Sequence, residues 1–206
     1  GCVVHHDEPR ADRLPDKDRH MTSRTPADPA VPLLDSHDQL TNEWLSDARR
    51  HRTDGAVVAS FERRPMGEGV GMMATLELVD VEYEGERPPD TVVVKLKAVS
   101  DTNRAVALAF DIYRREALFY KQIAERTSIG TPRVLMADVD GSEDFVLVLE
   151  DLSGYRLGDQ VTGCNRADAE TAVVGLARLH APFWNDVDHD DFEFIPYETP
   201  STHGDA

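Results

Sequence analysis

The chain has 206 residues, 40% apolar and 30% charged, which suits a packed core and excludes disorder throughout. Its formal charge of −17 excludes nucleic acid and anionic membrane surfaces as general partners, because both need basic surface. It leaves a small cationic substrate open.

Cys2 and Cys164 are the only cysteines, which gives neither a zinc-site spacing nor a disulfide framework. No apolar run reaches the roughly 20 residues of a membrane helix, and no apolar signal core opens the chain. A cytoplasmic setting is expected.

Residues 1–34 are expected to be a disordered extension. They carry Pro9, Pro15, Pro26, Pro29 and Pro32 with many charges and no apolar period. Met21 offers a natural start. Ser36 and Gln39 have capping-box form, and Leu40, Trp44 and Ala48 follow at helical spacing, so a helix is predicted over 38–52. Strands are predicted over 56–63, 72–83 and 91–99. A glycine-rich turn separates the first two, and Gly85 with Pro88-Pro89 separates the next two, as in an antiparallel meander.

A long helical stretch is predicted over 105–127, then strands over 133–138 and 145–149 joined at Asp140-Gly141. A last helix over 166–183 carries Ala172, Leu176, Leu179 and Phe183 at helical spacing. Residues 185–206 hold seven Asp/Glu and no Lys/Arg and read as irregular. The fold class is α+β: a five-stranded antiparallel sheet with one packed helix, followed by the start of a helical lobe.

Three signals carry chemistry. The first is Gly67-Glu68-Gly69-Val70-Gly71, which lies between two strands. Glycines permit close backbone approach and free N–H groups for a phosphate chain. A dinucleotide-binding loop would open a helix instead, and a Walker loop would end in Gly-Lys-Ser/Thr. Strand-loop-strand is the geometry with which kinases cover nucleotide phosphates. An ordinary hairpin turn is the alternative.

The second signal is Lys95. In Thr91–Val99 the alternation puts Val93, Lys95 and Lys97 on one face, a pattern that suits an adenine pocket with a lysine reaching the α/β-phosphates. A solvated face is the alternative. The third is Glu116, which shares an apolar stripe with Ile112, Phe119 and Ile123. A buried carboxylate needs a cation, and Lys95 on the sheet beneath is the natural one. Beyond the fifth strand, Glu150, Asp151 and Leu152 sit where sheet gives way to helix, a hinge position whose backbone groups suit an adenine edge.

These residues resemble the aminoglycoside/choline-type phosphotransferase family, of protein-kinase-like fold, over roughly 55–185. The resemblance rests on the glycine loop, Val92-Val93-Val94-Lys95, Arg114-Arg115-Glu116-Ala117-Leu118-Phe119-Tyr120, Leu147-Val148-Leu149-Glu150-Asp151-Leu152 and Leu176-Ala177-Arg178-Leu179-His180-Ala181. The last two segments look most like the ecdysteroid-kinase-like and related small-molecule kinase branches.

The resemblance implies ATP and Mg2+ as cofactors and a small-molecule hydroxyl as acceptor. It implies Lys95 and Glu116 as catalytic residues, and Gly67, Gly69, Val70, Gly71, Val93, Lys95, Glu150, Asp151 and Leu152 as cofactor-binding residues. It divides the chain into a kinase-like N-lobe over 35–150 and a hinge with the start of a C-lobe over 151–206.

The family's catalytic aspartate lies in His-Gly-Asp-x-x-x-x-Asn after an apolar strand. His203-Gly204-Asp205 follows a loop and lacks the asparagine, so it is not assigned that role. The general base and metal ligands are expected outside this chain, which reads as the N-terminal portion of a longer enzyme, inactive by itself. A non-catalytic nucleotide-binding or interaction module is the alternative.

Overall fold

The computed structural model describes residues 31–66, 73–141, 143–156, 158, 161–186 and 192–195. Five strands form one antiparallel sheet: β1 (Val58–Pro65), β2 (Ala74–Tyr83), β3 (Asp90–Lys97), β4 (Val134–Asp140) and β5 (Asp144–Glu150), in the order β1-β2-β3-β5-β4. All five predicted strands are present, each shifted by no more than two residues at its start. The turns at Gly85 (φ 83°) and Gly141 (φ 62°) use the left-handed backbone that glycine adopts without steric cost.

Side chains alternate across β3, so the sheet has two faces and a core on each. Val92, Val94 and Leu96 face one side with Val79, Val81, Val146 and Val148. Helix α1 (Asn42–Arg49) covers that side through Trp44, Leu45 and Ala48. Val93 faces the other side with Phe145, Leu147 and Leu149, beneath α2 (Asp101–Ala109) and α3 (Ile112–Leu118).

The first helix is shorter than predicted. Ser36 makes no side-chain cap; residues 37–39 form a single 3-10 turn, and Gln39 Oε1 instead accepts from the Asp35 N–H at 2.7 Å. The helix starts after Thr41, whose Oγ1 accepts from the Trp44 N–H at 3.1 Å. Upstream, Leu34 is buried in the same core, and the Trp44 indole N–H donates to the Pro32 carbonyl at 2.7 Å.

A polar knot fastens α1 to the sheet. The fully buried Arg49 side chain donates through Nη2 to both oxygens of Asp90 at 2.6 Å. The Tyr83 hydroxyl meets the same carboxylate at 3.0 and 3.1 Å. The Arg49 and Arg87 guanidiniums lie 5.3 and 5.0 Å from the centre of the Tyr83 ring.

The stretch predicted as one helix over 105–127 starts earlier, at Asp101, where Ser100 caps α2 by accepting from the Asn103 N–H. It then breaks. Asp111 takes a left-handed conformation (φ 51°, ψ 36°), α3 starts anew at Ile112, and a π turn (Phe119–Ile123) and a 3-10 turn (Ala124–Arg126) end it. Two helices therefore pack on the face where one was expected.

Beyond β5 the predicted last helix is present as α4 (Arg166–His180), capped by Asn165. Its expected apolar stripe is not buried among the described residues, and Leu176 is exposed. No helix of the described residues is long and apolar enough to cross a membrane.

Candidate nucleotide site

Lys95 lies in the middle of β3, opposite Leu76 of β2 and Leu147 of β5. Both neighbours are apolar and point to the same face, so the lysine stem is packed between them. Its ammonium group reaches α3 and donates to both oxygens of Glu116, each at 2.7 Å. The two side chains are 20% and 26% exposed: sheltered enough to strengthen the pair, open enough for the lysine to be reached. The pairing inferred from strand alternation and helix period is thus present.

The face of α3 that packs is not the one predicted. Tyr113 and Ala117 are the fully buried positions, and Glu116 sits on their flank beside half-buried Ile112 and Phe119. Tyr113 fixes the helix. Its ring stacks on Phe145 of β5 with centroids 4.4 Å apart, and its hydroxyl oxygen accepts from the Ala98 N–H at 3.0 Å. Glu116 lies one turn further along, so Tyr113 sets how far Glu116 stands from the sheet. Tyr113 was not singled out from the sequence, although Tyr-x-x-Glu places both on neighbouring faces. Tyr120, a turn beyond Glu116, has its hydroxyl pKa raised by burial first and by the Glu116 charge second.

Val93 faces the same side as Lys95 and is buried against Phe145 and Leu149 in the core beneath α2 and α3. Gly67, Gly69, Val70 and Gly71 lie outside the described residues. The strands that flank them are described: Pro65 pairs with Glu77, and the Met66 N–H donates to the Leu76 carbonyl at 3.1 Å. That junction is in register with Leu76, the residue opposite Lys95.

At the end of β5, the Glu150 N–H is taken by the Arg133 carbonyl at 2.9 Å. The Asp151 carboxylate turns back on its own loop, accepting from the Ser153 N–H at 2.8 Å and the Ser153 hydroxyl at 2.6 Å. The Leu152 carbonyl accepts from the Tyr155 N–H at 2.9 Å. Among the described residues this leaves the Asp151 carbonyl and the Leu152 N–H without a backbone partner.

Lys97, on the Lys95 face, is not free: it binds Asp35 and Asp144, and its pKa is raised chiefly by the hydrogen bond to Asp144. Of the two lysines on this face, Lys97 is thus tied to carboxylates at the end of the strand. No group of three or more His, Cys, Asp or Glu among the described residues could hold a metal ion. His203, Gly204 and Asp205 lie outside the described residues.

The model of the ecdysteroid kinase-like family matches residues 68–183, more than half of the chain, and that family is part of the protein-kinase-like small-molecule kinase group. No curated protein and no solved structure matches the chain. The family match covers residues 68–71 of the loop, Lys95, Glu116, strands β2 to β5 and α4 together, and the chain belongs to the ecdysteroid kinase-like family.

Proposed function

We propose that this chain is the ATP-holding part of a small-molecule phosphotransferase that moves the γ-phosphoryl of ATP to a substrate hydroxyl. The observation that carries the proposal is the Lys95 ammonium clasped by both Glu116 oxygens on the helix-covered face of the sheet. A lysine held there is a fixed cation with one exposed side, which is what a phosphate chain needs. Magnesium-ATP, when bound, supplies the phosphoryl group and most of the charge to be neutralised.

The residues divide the work by chemistry. Lys95 neutralises α/β-phosphate charge and Glu116 holds Lys95 in place. Gly67, Gly69, Val70 and Gly71 cover the phosphates through backbone N–H groups. Val93 lines the adenine pocket. Residues 150–152 meet the adenine edge through backbone: the Leu152 N–H donates and the Asp151 carbonyl accepts, since the Glu150 N–H is already taken. Catalysis of this kind is mostly positioning and charge stabilisation. No described residue is assigned as general base or magnesium ligand. The acceptor is a small hydroxyl compound, and the charge of −17 suits a cationic one in a cytoplasmic setting.

Nucleotide binding without turnover, as a binding or interaction module, is the second reading; it shares the Lys95–Glu116 clasp and differs only in the chemistry that follows. A thermal-shift titration of the purified chain with magnesium-ATP tests the shared part of both readings. A rise in Tm that saturates in wild type and disappears in Lys95→Met is expected; no shift in wild type contradicts both. Magnesium-dependent turnover by the 206-residue chain would overturn the binding-only reading.

A further inference from the structure

Residues 185–206 are acidic, yet Phe192, Phe194 and Ile195 interrupt the charge. In the structure these residues return to the helices that cover Lys95. Phe194 is 5% exposed and, with Ile195, Ile112, Arg115, Glu116 and Phe119, lines an open groove of about 350 Å³. A second contact ties the same segment down. The Phe192 ring meets Phe183 edge-on at 5.2 Å, and the Arg126 guanidinium stands 4.9 and 5.5 Å from the two ring centres. The Ile195 N–H closes a turn on the Phe192 carbonyl at 2.8 Å.

The placement relative to Glu116 is what matters. The sheet side of α3 is held by Tyr113 and Ala117, and the Glu116 carboxylate leans from that side to Lys95. Phe194 stands on the other flank, lining with Ile112, Glu116 and Phe119 one groove beside the ion pair. A buried apolar ring there opposes outward movement of a helix only seven residues long, bounded by the Asp111 break and the π turn.

We propose that Phe194 is a positioning residue for the Lys95–Glu116 pair, and that the segment 192–195 sets the position of α3 from the side away from the sheet. The consequence for nucleotide rests on the proposed function; the mechanical claim does not.

The test uses the 206-residue chain and three readouts. In Phe194→Ala, backbone amide exchange over 113–118 should rise about tenfold while β3 and β5 stay unchanged. A double-mutant cycle of Lys95→Met and Glu116→Gln by urea unfolding should show coupling in the wild-type background and lose it in Phe194→Ala. Phe194→Leu, which keeps an apolar plug, should restore both and remains informative if the alanine variant fails to fold. Leu45→Ala, in the opposite core, should lower stability without changing either readout.

Unchanged α3 exchange, or undiminished Lys95–Glu116 coupling, in Phe194→Ala or in a Phe194→Ser replacement overturns the proposal. Magnesium-ATP binding by wild type, measured alongside, separates the claims. If wild type binds no ATP while both mechanical effects appear, the nucleotide reading falls and the positioning role stands.

Discussion

The two faces of this sheet are built from the same strands yet finished in different ways. The α1 face is sealed. Its core is mainly aliphatic around Trp44 and Tyr83, with Leu45 at 0% exposure, and its fully buried cation, Arg49, is bound through Nη2 to Asp90. The α3 face has an aromatic and aliphatic floor, but a charged pair stands at its centre, about a quarter exposed. A buried pair contributes little net stability and a half-open one less. The difference separates a face that holds the sheet together from a face that presents a cation.

The contrast can be broken most strongly at Asp90. Asp90→Ala leaves the buried Arg49 guanidinium without its carboxylate, at a cost of about 3–5 kcal/mol in urea unfolding, and should leave nucleotide affinity unchanged in whatever fraction folds. Leu45→Ala should cost about 3 kcal/mol through a cavity in the same core. Glu116→Gln should cost at most about 1 kcal/mol, because its pair is solvent-accessible, while lowering ATP affinity by freeing Lys95. A large stability loss in Glu116→Gln with no effect on ATP would erase the distinction between the faces.

Much of the α3 face was legible in the sequence, for a physical reason. Strand alternation assigns Val93, Lys95 and Lys97 to one side, and a carboxylate among apolar residues at helical spacing marks Glu116 as needing a cation, so two local periodicities predict the long-range bond although the packed face of α3 is that of Tyr113 and Ala117. What was not legible depended on distant partners. The break at Asp111 requires a left-handed non-glycine residue, which has no reliable signal. Thr41 displaced Ser36 as the cap because helix entry is set by Trp44 packing into the core and reaching Pro32. Arg49, Tyr83 and Asp90 meet only because the β2–β3 hairpin returns to α1. The placing of β5 beside β3 follows from sheet assembly rather than from any residue in either strand. The interrupted acidity at Phe192, Phe194 and Ile195 was the available signal for the return segment.

A smaller effect sharpens the comparison on β2, where Asp80 stands between β1 and β3. The Arg64 hydrogen bond, then that from Thr91, holds the Asp80 carboxyl below its ordinary value of 3.8. A lowered folded pKa gives stability that is present above about pH 4 and is lost as pH falls through the folded value. Acid unfolding of Asp80→Asn should therefore depend less on pH below about 4 than that of wild type, and a pH profile identical to wild type would contradict this. Neither core takes part, so ATP affinity at neutral pH should not change.

The central claim is that Lys95 serves a phosphate chain rather than the fold. Isothermal titration of wild type and Lys95→Met with ATP and, separately, with adenosine tests it most directly. Lys95→Met should weaken ATP by about tenfold or more, as expected for loss of a charge-assisted contact, and leave adenosine affinity unchanged. Equal ATP affinity in the two proteins, or equal losses for ATP and adenosine, would contradict it.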